Sequence, residues 1–234
     1  MVSTNIRLYS IEDAIAAFST GKFVLIHDDK GREDEVDMVV SAEFVTPMQV
    51  GIMRMHAGGL ICTAITHEAA SKLGLMYMHD ILKYMSTTAP KLSELTFSRA
   101  PYGDRSAFSI SVNHRDTYTG ITDYDRALTI NGIAEVCRNI DSDGPEKFSN
   151  YFRAPGHVPI LIASKRLLDD RIGHTELCMY LAKVSGLTHS VVMCEMLDIN
   201  THRALTIDEA QKYAKENDIL ILEGSQLTNY AKAV

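Results

Sequence analysis

The chain has 234 residues, 46% hydrophobic and 23% charged, the composition of an ordinary soluble globular protein that can bury a sizeable core without disulfide or metal staples. A net charge of −7 with no Lys/Arg run argues against nucleic acid as the main partner. No apolar stretch approaches the roughly 18 residues of a membrane span, the N-terminal MVSTNIRLYS lacks a signal-peptide core, and Cys62, Cys137, Cys178 and Cys194 form no C-x-x-C pair, so a cytoplasmic protein with free thiols is expected.

Ser10 can cap a helix running to about Thr20, with Gly21 as its stop. FVLIHD (from Phe23) is a continuous apolar run ending in acid and predicts a buried strand; MVVSAEF (from Met38) predicts a second. Thr46 and Pro47 open a helix that Gly58-Gly59 ends. LICTAI (from Leu60) is a third strand, and AFSISV (from Ala107) alternates like a half-exposed one. Thr122 caps a helix reaching about Arg138. VPILIA (from Val158) and HSVVMCEM (from His189) are further strands, and between them Leu177, Tyr180, Leu181, Val184 and Leu187 recur at helical spacing after His174. Thr206 caps another helix, then DILIL and a final helix close the chain. About seven strands with uneven connections predict an α+β fold, a mixed β-sheet layered with helices, in a single domain over 1–234. The stretches at about 85–105 and 139–150 are expected to be flexible loops.

Chemistry concentrates at strand ends. From Asp28 to Asp37 the chain carries six carboxylates, Asp28, Asp29, Glu33, Asp34, Glu35 and Asp37, with Lys30 and Arg32 among them. Their mutual repulsion calls for a compensating cation, and hard divalent ions want several oxygen ligands; the plainer alternative is a solvated acidic turn. Arg171-Ile172-Gly173-His174-Thr175-Glu176 opens a helix, where backbone N–H groups and an arginine make an anion site. The alternative there is a Thr175 N-cap, a first-turn Glu176 and an exposed His174. Glu195 ends an apolar strand and could act as a base, or be an ordinary surface residue. His157 and Cys62 carry the same ambiguity; a buried thiol is usually structural. Thr119-Gly120-Ile121-Thr122-Asp123 could line a substrate, though helix capping is its default role. Carboxylates, histidines, Arg, Thr and Gly at strand ends suit a metal-dependent enzyme acting on a small sugar phosphate. A sugar-phosphate isomerase or aldolase, or a non-catalytic phosphosugar-binding module, is an alternative.

Several motifs occur in one order: Arg32-Glu33-x-Glu35-x-Asp37, GGLIC around Cys62, TGIT from Thr119 with Asp125-Arg126, Pro155-Gly156-His157, Arg171-x-Gly-His-Thr-Glu, and Cys194-Glu195. From about Ile11 to Tyr230 the chain resembles the 3,4-dihydroxy-2-butanone 4-phosphate synthases of riboflavin biosynthesis, in their monofunctional form without a fused GTP cyclohydrolase II domain. The resemblance implies a lyase that converts D-ribulose 5-phosphate to L-3,4-dihydroxybutan-2-one 4-phosphate and formate. It implies a homodimer with sites at or near the subunit interface, and Mg²⁺ or Mn²⁺ as cofactor, two ions per site. By position, Glu33 and His174 resemble the metal ligands. Arg32, Asp37, Arg171, Gly173 and Thr175 resemble substrate contacts, with the Arg171 segment on the phosphate. Glu195 and His157 resemble the residues needed for catalysis, while Glu35, Cys62 and Thr119 belong in the pocket. Asp28, Asp29 and Asp34 are expected to be supporting or solvated charges. The implied chemistry runs through a metal-stabilised enediolate, and the base at each step is left open. Val36 stands where relatives most often carry glycine, so the acidic loop is expected to be shaped differently here.

Overall fold

Each apolar run becomes a strand of one sheet in the computed structural model, which describes residues 10–233; the expectation about the N-terminal segment falls largely outside them. In chain order the elements are α1 (Ile11–Phe18), β1 (Val24–His27), β2 (Val36–Ser41), α2 (Pro47–Ile52), β3 (Cys62–Ile65), α3 (His67–Lys72), α4 (Met78–Tyr84), α5 (Pro90–Glu94), β4 (Phe108–His114), α6 (Asp123–Arg138), α7 (Gly144–Tyr151), β5 (Phe152–Ile162), α8 (His174–Val184), β6 (Ser190–Glu195), β7 (Leu197–Asp198), β8 (Arg203–Ala204), α9 (Ile207–Glu216), β9 (Leu220–Glu223) and α10 (Gly224–Ala233). Helix starts lie where the capping residues predict them. Ser10 accepts from the Asp13 N–H while Asp13 reaches back to the Ser10 N–H, and Thr122 accepts from the Asp125 N–H at 3.1 Å.

Seven strands lie in the order β4-β5-β3-β6-β2-β1-β9, and β7 and β8 form a separate two-stranded ribbon. The sheet is mixed: β1 is parallel to β9 and β3 to β5, while β2 is antiparallel to both β1 and β6. Strand alternation divides the core in two. Val36, Met38, Val40, Val192 and Cys194 pack with residues of α2, α6 and α9. Val24, Ile26, Val39, Val191 and Met193 pack with α1, α8 and α10 on the opposite face. Each fully buried Val, Leu or Ile side chain stabilises the sandwich by roughly 1.5–3 kcal/mol. The architecture is the expected mixed sheet layered with helices. No helix among the described residues is long and apolar enough to cross a membrane.

Two stretches differ from the loops expected of them. Helix α7 occupies most of 139–150: Pro145 sits in its first turn, and the rings of Phe148 and Tyr151 pack at a tilt against Phe152 and His114, respectively. The stretch from 85 to 105 opens with a 3₁₀ turn (Met85–Thr87) followed by α5, and its later part crosses the cavity described next.

The register sets the site. Asp37 of β2 pairs with Glu195 of β6. Both lie two residues from side chains packed on the α8 face, Val39 and Met193, so alternation sends both carboxylates toward that face. Helix α8 begins there with His174.

Candidate active site

The acidic segment is the connection between the antiparallel strands β1 and β2, and Asp28 organises it. Its side chain is 0% exposed and accepts from the Glu33 N–H at 3.2 Å, the Glu35 N–H at 3.1 Å and an Arg32 guanidinium nitrogen at 3.1 Å. Of the two roles expected of Asp28, a supporting or a solvated charge, the structure shows the supporting one: it is the centre around which the loop folds. Asp29 accepts from the Gly31 N–H at 2.6 Å, and Asp34 reaches His27 at 3.1 Å. Positive φ within Asp28–Asp37 falls on Asp34, at 53°. Val36 instead begins β2 opposite His27 and buries its side chain in the core. This backbone makes no demand for glycine at that position.

The loop forms one wall of a cavity of about 860 Å³, which Asp37, His174, Thr175 and Glu195 also line. His174 Nδ1 lies 3.0 Å from Glu33 Oε2 and Nε2 lies 3.2 Å from the Glu35 carbonyl. Burial disfavours its charged form, but Asp37, Glu33 and Asp28 outweigh that and push it up to about 9. Burial likewise works against the Glu33 anion, yet hydrogen bonds from His174 and Tyr102 hold it down at about 2. Asp37 goes the other way. Burial, with repulsion from Glu195, Glu33 and Glu35 against the attraction of His174, raises it to about 7. Glu35 is raised by burial and by neighbouring carboxylates. Glu195 accepts from the Leu60 N–H at 2.7 Å.

This donor set fits a divalent cation. Single ligand atoms of Asp28, Glu33 and His174 lie within 4.8 Å of one another, and carboxylate oxygens with one imidazole suit Mg²⁺ or Mn²⁺. Asp37 Oδ1 is buried without a hydrogen-bond partner, 3.9 Å from His174 Nε2, and an unmet buried acceptor is costly unless a positive group compensates it. A cation here would replace the proton that His174 now holds. Asp28 belongs to this cluster although the sequence reading set it aside. Its place immediately after a buried strand was the available signal.

The arginines converge on a residue that sequence reasoning missed. Asp104 Oδ2 accepts from Arg32 at 2.7 Å and from Arg171 at 3.1 Å. The Arg32 guanidinium also lies 5.1 Å from the centre of the Tyr102 ring, and the Tyr102 hydroxyl donates to Glu33 at 2.7 Å. Behind Arg171 stands Glu176 at 3.4 Å, its side chain fully buried. Gly173, not Thr175, is the N-cap of α8. A Cβ on Gly173 would come within 2.9 Å of the Arg32 guanidinium, so glycine lets the two segments meet. Thr175 and His174 are buried, which removes the alternative of an exposed histidine.

Three expected residues stand apart from this cavity. His157 is on β5, where its backbone N–H donates to Asn113 Oδ1 at 2.8 Å. Thr119 lies 3.4 Å from Asp125 on the chain leaving β4. Both are exposed, and β4 and β5 form the edge of the sheet away from β1. Cys62 is buried in the core beside α8; burial, with Glu195 and Asp37 nearby, drives its thiol pKa far up, so it is an inert thiol rather than a nucleophile.

Comparison with known proteins matches nearly the full length of the chain. The family model for 3,4-dihydroxy-2-butanone 4-phosphate synthase matches residues 12–230. The chain is 45% identical over 217 residues to the 3,4-dihydroxy-2-butanone 4-phosphate synthase of Methanothermobacter thermautotrophicus, covering 93% of both chains. It is 42% identical over 224 residues to that of Archaeoglobus fulgidus, covering 95% of this chain and 94% of the relative. A crystal structure of 3,4-dihydroxy-2-butanone 4-phosphate synthase in complex with two magnesium ions superimposes with a TM-score of 0.77 at 28% identity, over 97% of this chain and 98% of that one. Matched by that family model over residues 12–230, and 45% identical to a relative covered to 93% of its length, the chain belongs to the 3,4-dihydroxy-2-butanone 4-phosphate synthase family.

Proposed function

We propose that this protein converts D-ribulose 5-phosphate to L-3,4-dihydroxybutan-2-one 4-phosphate and formate, as a metal-dependent lyase of riboflavin biosynthesis. The observation that carries the reading is the meeting, on one cavity, of a carboxylate–imidazole cluster (Glu33, Asp37, His174) with two arginines (Arg32, Arg171) and Glu195. Arg171 and the start of α8 at Gly173 and Thr175 bind the phosphate, with guanidinium and backbone N–H groups as donors. Asp37 orients the sugar hydroxyls, and Arg32, which shares Asp104 with Arg171, contacts the substrate beside its phosphate. Glu33 and His174 would hold Mg²⁺ or Mn²⁺, two ions per site, with Asp28 and Asp37 close by; a solved relative is in complex with two magnesium ions. The cation, when bound, supplies positive charge that stabilises an enediolate.

The chain's own groups move the protons. Glu195 is half-buried and fixed by the Leu60 N–H, so one carboxylate oxygen stays aimed while the other is available as a base. Asp37, raised to about 7 in the metal-free protein, would be held ionised by a cation bound beside it and so accept hydrogen bonds from the sugar hydroxyls. Glu35 sits in the same wall with a less defined role. The buried Cys62 supports the strand beside Glu195. His157 and Thr119 act from a second copy: the enzyme is a homodimer in which the β4–β5 edge of one protomer completes the partner's cavity.

The test is direct. Incubation with ribulose 5-phosphate and Mg²⁺ should release formate, followed by proton NMR, and EDTA should stop it. An isomerised pentose phosphate with no one-carbon product would replace this reading with an isomerase.

A further inference from the structure

The stretch crossing the cavity puts a carboxylate where an anionic ligand would sit. Arg32 Nη2 and Nε approach Asp104 Oδ2 at 2.7 and 3.2 Å, and Arg171 Nε approaches the same oxygen at 3.1 Å. Arg32 has two other close acids, Asp28 at 3.1 Å and Glu33 at 3.6 Å, and Arg171 has Glu176 at 3.4 Å; the Asp28 and Glu176 side chains are 0% exposed. They are built into the loop and the helix start, and cannot leave. Asp104 differs. Its side chain is one-third exposed, and Gly103 and Arg105 on either side of it are exposed. Two positions earlier Tyr102 binds Glu33, so one short stretch engages both the arginines and the metal-capable cluster.

We propose that Asp104 is a specificity-determining residue of this cavity: in the free enzyme its carboxylate takes the place between Arg32 and Arg171 that the substrate's phosphate takes in the complex, so that only a dianionic ligand displaces it. The proposal rests on the reading of Arg171 as the phosphate residue. Charge balance gives the reason. Two guanidiniums already face four carboxylates, Asp28, Glu33, Asp104 and Glu176, and a phosphate dianion added to all four would meet a strongly negative site. Exchange of Asp104 for phosphate relieves that, and a dianion with three acceptor oxygens repays the broken contacts. A neutral pentulose offers the two guanidiniums only uncharged acceptors, weaker than a carboxylate, and leaves Asp104 in place. Moving Asp104 out also draws Tyr102 off Glu33, so phosphate binding frees the cluster that receives the sugar. Selectivity for the phosphorylated substrate thus comes from a competitor inside the protein as well as from attraction.

Inorganic phosphate is the probe, titrated calorimetrically at low ionic strength into the full-length protein. Asp104→Asn should bind it at least fivefold more tightly than the wild type, and Asp104→Ser should do the same, which separates a lost competitor from an effect of the new amide. The same variants should lower KM for ribulose 5-phosphate. Equal or weaker phosphate binding in both variants would overturn the proposal and make Asp104 a residue that merely holds the arginines. Wild-type affinity left unchanged by Arg171→Gln would instead defeat the phosphate reading beneath it, and the proposal with it.

Discussion

At the scale of single residues, Glu33, Asp37 and His174 carry opposed shifts, and together they make a prediction for the metal-free protein. His174 titrates near 6.5 when unfolded and is raised to about 9 in the fold. The folded state therefore binds the extra proton. Its stabilisation is complete below about 6.5 and is lost as pH rises through 9. Glu33, held near 2, contributes stability above its unfolded value of 4.5 and loses it only in strong acid. Asp37, raised to about 7, opposes folding as it ionises and adds no slope above that pH. Between about pH 7 and 9 the slope left among these three comes from His174. Urea denaturation of EDTA-treated protein should show stability falling across that window, by on the order of 2–3 kcal/mol. His174→Gln should flatten the curve there, and an unchanged curve in that variant would remove His174 as its source.

At the scale of elements, the position of Glu195 depends on the turn from α2 into β3. Gly58, at φ 85°, ends the helical segment, and the Gly59 N–H donates to the Glu195 carbonyl at 3.0 Å. A Cβ on Gly59 would overlap both that carbonyl oxygen and the Glu195 side chain. Gly59→Ala should therefore displace Glu195 and lower kcat more than tenfold, equivalent to about 1.4 kcal/mol or more of transition-state stabilisation. Phosphate binding at Arg171 should persist, measured by the same calorimetry. Near-normal turnover would mean that the position of Glu195 matters little. The glycine pair was legible in the sequence as a helix stop, but its contact with β6 was not, because that contact joins residues more than 130 positions apart. Apolar runs and capping residues made the strands and long helices legible, since their causes are local. Asp104 and Tyr102 were hidden for the converse reason: a stretch poor in apolar residues has no periodicity to read, and its order here comes from ionic and aromatic contacts with Arg32 and Glu33. Asp28 was hidden among five other acids, and its burial follows from the way the loop's N–H groups turn inward to meet it.

At the scale of the whole molecule, the fold leaves two groups of expected site residues on separate surfaces. Glu195 lines the cavity and His157 does not; His157 sits on β5, held by Asn113 of the edge strand β4. The proposed homodimer with shared sites would account for this, and mixing two inactive variants distinguishes it from a site within one chain. Glu195→Gln keeps an intact His157, and His157→Ala keeps an intact Glu195. Random exchange of protomers makes about half the dimers mixed, each with one intact and one doubly defective site, so activity should recover to about a quarter of the wild-type level. If both residues served a site within one chain, no mixture could restore it. Formate release after co-refolding equal amounts of the two variants measures the outcome, and recovery well below a tenth would return His157 to its own protomer or remove it from the reaction.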